Sequence, residues 1–110
     1  MLRYEALKER YALALPQKAA DIEAAWTAFC ADPTDVAGRS RLHQAVHRLS
    51  GSAPAYGFED LGVAAQGVDT VFSEWMAAPE FSRPAPQQLV DSLGAGIQHL
   101  LLALRGARPI

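Results

Sequence analysis

Apolar residues recur along this chain at helical intervals, and nowhere do they alternate as in a strand. Within residues 3–31, Leu7, Tyr11, Leu15, Ile22, Trp26 and Phe29 fall at spacings of three, four and seven, which predicts a helix with one buried stripe. Pro16 interrupts that stretch by removing a backbone donor and crowding the preceding turn. A kink, or a short first helix followed by a longer one, is expected there.

The segment "DPTD", residues 32–35, reads as the start of a second helix, with Asp32 as the cap, Pro33 at the first helical position and Asp35 adding favourable charge. That helix turns Val36, Leu42, Ala45, Val46, Leu49 and Ala53 inward, sets Arg39, His43, His47 and Ser50 on another face, and ends at Pro54 and Gly57. From Phe58, the positions Leu61, Ala64 or Ala65, Val68, Phe72, Trp75 and Met76 define a third helix, which "AAPEFSRPAP" breaks. A fourth, over roughly 86–105, carries Leu89, Val90, Leu93, Ile97, Leu100, Leu101 and Leu104. Four amphipathic helices with short connections predict an all-α, antiparallel up-and-down four-helix bundle with a short or kinked N-terminal helix.

Composition narrows this picture. The 110 residues suit a single domain, 1–110, and half of them are apolar, which supports a packed core. A net charge of −2 gives no global basic field, so neither nucleic acid nor an anionic membrane is expected as a partner. No apolar run approaches the ~20 residues needed to span a bilayer. The opening "MLRYEALKER" lacks the pattern of a secretory signal, so a cytoplasmic location is expected. Cys30 is the sole cysteine and reads as a small buried hydrophobe. His99 reads as a partly buried, hydrogen-bonded residue at the core edge, and Trp26, Trp75, Tyr11 and Phe72 as core.

The chemistry concentrates in "HRLSGSAPAYGF", residues 47–58. On a helix His47 sits over Ser50, Gly51 and Pro54, and one turn from His43. Gly51 costs on the order of 1 kcal/mol relative to alanine in a helix interior, and clearing space beside His47 is one reason to keep it. A neutral imidazole can attack phosphorus, so His47 is a candidate nucleophile, the alternative being an ordinary surface histidine. His43 and His47 also have the i, i+4 spacing of a metal clamp, but the glutamate of His-Glu-x-x-His is missing from "HQAVH", and a third ligand would have to be Asp69 or the distant His99. No glycine-rich nucleotide loop is present, so self-phosphorylation is not expected. Gly62 and Gly67, inside the third helix, suggest close approach of a neighbouring helix or of a docking partner.

The segment "HRLSGSAPAYGFEDLGVAAQGVD" resembles the core motif of histidine-containing phosphotransfer (Hpt) domains of bacterial two-component phosphorelays, and the resemblance extends over nearly the whole chain. His47, Leu49, Gly51, Ser52, Gly57 and Leu61 match the motif, whereas Ser50 replaces its usual lysine. The resemblance implies that His47 accepts a phosphoryl group from an aspartyl phosphate on one receiver domain, of a response regulator or hybrid sensor kinase, and passes it to another. It implies a phosphoryl carrier with no cofactor of its own, any magnesium belonging to the receiver.

It also implies a hydrogen-bonding partner for His47 on the next helix, at Asp69, with Gln66 and Ser73 one turn to either side as alternatives. His43, Arg48, Ser50, Gly51 and Pro54 would then form the docking face. Arg48, Arg41 and Arg39 either compensate for the missing lysine by attracting a receiver's acidic pocket, or form a solvated helix face. The competing reading is a four-helix interaction module that binds a receiver or kinase without passing phosphate on.

Overall fold

The computed structural model describes residues 3–107. Its elements are helices α1 (Arg3–Ala31), α2 (Val36–Ala55), α3 (Glu59–Ala77) and α4 (Pro86–Gly106), with one 3-10 turn at Glu80–Ser82 between the last two. Among the described residues there is no strand, and no helix is long and apolar enough to cross a membrane. Contacts run α1 to α2, α2 to α3, α3 to α4 and α4 back to α1, closing an elongated four-helix bundle of 54 × 23 × 21 Å.

The predicted stripes make the core, except that Leu7 is half-buried outside it. Leu15, Ala19, Ile22 and Phe29 of α1 meet Leu42, Val46, Leu49 and Ala53 of α2, the Leu61–Trp75 stripe of α3 and the leucine-rich face of α4. α1 runs from Arg3 through Pro16 to Ala31 as a single helix, so Pro16 does not divide it into a short and a longer one. Contacts on both sides of the proline account for this. Ahead of it, Tyr11 stacks on Tyr56 at 4.6 Å and shares a 2.7 Å hydrogen bond with Ser52; behind it, Leu15, Ala19 and Ile22 are buried.

α2 begins three residues later than the sequence suggests. Asp32 is occupied by Thr34, whose Oγ1 and backbone N–H donate to its Oδ1 at 2.6 and 3.3 Å, forming a turn through Pro33. Asp35 is therefore the cap, accepting from the Ala37 N–H at 3.2 Å. At its other end α2 continues through Pro54. The Phe58 N–H then donates to the Ala53 carbonyl, the Gly57 N–H donates to the Pro54 carbonyl, and Gly57 takes a φ of 86°. This paired closure needs the left-handed conformation that glycine adopts without penalty, so Gly57 is the residue that stops the helix. Gly62 then lets α3 approach α2, because a Cβ there would lie 2.4 Å from Cγ of Pro54. Gly67 has nothing within 4 Å of its Cβ position, so no neighbouring helix explains it.

Several border positions differ from expectation. Val36 and Met76, expected inside, are exposed near helix ends. Cys30 is exposed beside the fully buried Phe29, and partial desolvation pushes its thiol pKa up. His99 is exposed on α4 rather than sitting at the core edge. Phe72 and Trp75 are buried as expected, and Tyr11 and Trp26 are half-buried against the core.

Candidate functional site

The site lies on the face shared by α2 and α3. Leu42, Val46 and Leu49 face the core, and this turns His43 toward the α2–α3 seam and leaves His47 at its outer edge. On α3 the buried run of Ala65, Val68 and Phe72 carries Asp69 into the same seam, where it is the one buried charged residue described. An aspartate in such a place is costly unless its oxygens are met by donors.

Both oxygens are met. Nδ1 of His47 lies 3.1 Å from Oδ2 of Asp69, and Nε2 of His43 lies 3.0 Å from Oδ1. A carboxylate only accepts hydrogen bonds, so each of these ring nitrogens donates an N–H. For His47 this leaves the Nε2 lone pair free, on a side chain that is 71% exposed. His43 is 23% exposed, and its ring stacks on the fully buried Phe72 with centroids 4.7 Å apart and planes 13° from parallel.

The remaining candidates separate into those beside His47 and those held elsewhere. Gln66 is exposed and donates to Thr70 at 3.4 Å, so the partner role falls to Asp69. Ser73 lies on the rim of a depression that it shares with His43, Gln44, His47 and Arg48. Outside its chain neighbours and its own helix backbone, nothing lies within 4 Å of the Cβ position of Gly51, so the surface one turn beyond His47 is open. Ser50 donates its hydroxyl to the His47 carbonyl at 2.7 Å, back into its own helix. Pro54 is exposed, with its ring against Gly62. Ser52 is tied to Tyr11, which gives that serine a structural task.

The arginines divide in the same way. Arg39 lies over the Trp75 ring at 4.9 Å, and Arg41 is 3.9 Å from Asp35. Arg48 has no ion-pair partner among the described residues, and it is the arginine that borders the His47 depression.

Two features escaped the sequence: the hydrogen bond from His43 to Asp69, and the Phe72 ring beneath His43. The i, i+4 spacing of the two histidines was their available signal, since it puts both rings opposite a single α3 position. The same spacing had suggested a metal clamp. Instead the two rings donate to different oxygens of one carboxylate, and among the described residues no group of three or more His, Cys, Asp or Glu side chains is arranged to hold a metal ion. Compared with known proteins, the chain matches no family model, no curated protein and no solved structure.

Proposed function

We propose that this chain is a histidine phosphotransfer domain that carries a phosphoryl group between receiver-domain aspartates through a phosphohistidine at His47. The observation that carries this reading is the pairing of an exposed His47 ring with a buried carboxylate on its Nδ1 side. A nucleophilic imidazole needs this arrangement: the proton on one nitrogen, an acceptor to hold it there, and the other nitrogen open to a partner.

In the transfer step the Nε2 lone pair attacks phosphorus of an aspartyl phosphate. The N–P bond forms as the bond from phosphorus to the carboxyl oxygen breaks, and the receiver's carboxylate leaves with the electron pair. The Nδ1 proton stays on the ring, and Asp69 offsets the positive charge the ring acquires. Passage to a second receiver reverses these steps, with its aspartate oxygen attacking phosphorus and the Nε2 electron pair returning to the ring. Open space at Gly51 supports the close approach that in-line transfer needs. The guanidinium of Arg48, at the edge of the His47 depression, supplies positive charge where Ser50 supplies none.

The test is phosphotransfer from a panel of aspartyl-phosphorylated receivers to the wild type and to His47→Gln. An acid-labile, base-stable label on the wild type alone is expected. No label from any receiver, together with tight binding to one of them, would replace this reading with that of a non-transferring interaction module.

A further inference from the structure

We propose that His43 is a positioning residue for His47: by donating its Nε2–H to Asp69, it keeps the carboxylate turned so that the His47 proton stays on Nδ1. The inference deepens the carrier reading, and rests on it for what the free Nε2 does. The hydrogen-bonded arrangement itself does not depend on that reading.

Three observations carry it. First, Asp69 is held through both oxygens, one to each histidine, and a carboxylate fixed at both ends has one orientation rather than a range. Second, the two rings are not equally anchored. His47 is largely in solvent, whereas His43 lies flat against the fully buried Phe72. Order therefore passes from the core through Phe72 and His43 to Asp69, and only then to the exposed ring. Third, Asp69 is itself buried, so an Oδ1 without the His43 donor would have no protein partner.

An unmet buried oxygen has a specific way to recover. The carboxylate can rotate toward solvent and abandon the His47 Nδ1–H, and the ring proton is then no longer held away from Nε2, where it blocks the nucleophile. By meeting Oδ1, His43 closes this route. A ring that merely filled space over Phe72 would have no such effect, and this makes the two roles separable.

The experiment reads the ring nitrogens directly, by long-range proton–nitrogen NMR on the full chain at about pH 8.5, two units above the ordinary imidazole value. Wild type is compared with His43→Gln, which offers an N–H at a similar reach, and His43→Leu, which keeps apolar cover over Phe72 but donates nothing. His47 is expected to carry its proton on Nδ1 in the wild type and in H43Q. In H43L the ratio of the Nδ1–H to the Nε2–H form is expected to fall by roughly threefold or more. Equal ratios in all three proteins would overturn the proposal, as would an equal fall in H43Q and H43L. Should H43L fail to fold, H43A is read in its place. No phosphoryl group enters this measurement, so failure of the carrier reading, scored by labelling the wild type, does not register as failure here.

Discussion

The Pro54 ring occupies the space that a side chain at Gly62 would need: a Cβ there would sit 2.4 Å from Cγ and 2.7 Å from Cδ. The obstacle is a closed ring rather than the end of a flexible chain, so it cannot swing aside. Gly62→Ala is expected to destabilise the bundle by about 1–3 kcal/mol, as overpacking does. Gly67→Ala, on the same helix with an open Cβ position, is expected to stabilise it by about 0.5–1 kcal/mol through backbone entropy. Urea denaturation of both variants checks the pair, and a shift of the same sign in both would contradict the packing assigned here.

Gly51 is open in the same sense as Gly67, but lies one turn from His47. Gly51→Leu should fold with an unchanged or raised Tm, since a Cβ there meets nothing within 4 Å outside its own helix and leucine is the better helix former. It should nevertheless slow transfer from a receiver domain by about tenfold or more, by holding the partner off. Phosphorylation of the same variant by phosphoramidate, a donor small enough to pass the leucine, should remain near the wild-type rate. Equal slowing with both donors would point to damage at the histidine instead.

Asp69→Asn keeps the size of the side chain but changes what it can offer. With its oxygen accepting from His43, its amide N–H would face Nδ1 of His47 and favour the proton on Nε2. Transfer is expected to fall by at least about tenfold, as in other sites where a carboxylate fixes a tautomer. Gln66→Ala, which removes only an exposed contact to Thr70, should leave the rate unchanged. The comparison is read as initial transfer rates at matched protein concentration.

Tyr11 supplies a pH prediction for stability. Burial raises its phenol pKa, the Ser52 hydrogen bond opposes this, and the neighbouring Tyr56 adds to the rise. Because the folded value lies above the unfolded one, its contribution is fully present below about pH 10 and is lost as pH climbs through the folded value. Tm measured from about pH 9 to pH 11 should therefore fall less steeply in Tyr11→Phe than in the wild type. An identical slope would remove Tyr11 from the alkaline transition.

How far the sequence reveals this molecule differs from residue to residue. The spacing of Leu42, Val46 and Leu49 fixes the face of α2 that enters the core, and with it the outward placement of His47. Asp69 was legible through the motif resemblance, which placed a hydrogen-bonding residue there. The bond from His43 was not, because spacing puts a ring on a face without saying which nitrogen meets which oxygen. Cys30 and His99 lie beside buried positions, where a small rotation of the helix decides between inside and outside. The start of α2 had two aspartates suited to capping it, and Thr34 settled the matter by occupying Asp32. Gly67 shows the reverse difficulty, since a glycine in a helix does not reveal whether anything is close to it.

The residues assigned to the site, from His43 to Pro54 and from Asp69 to Ser73, all lie on the hairpin that Gly57 closes, while α1 and α4 supply its backing. Evolutionary drift can therefore run at two speeds in one small chain. The exposed faces of α1 and α4 are free to diverge as long as their buried stripes persist, and could accommodate additional segments or new surfaces without touching the chemistry. On the proposed carrier reading, the hairpin can change partners mainly through its rim, as at Ser50 and Arg48, because its interior must go on holding one carboxylate between two rings.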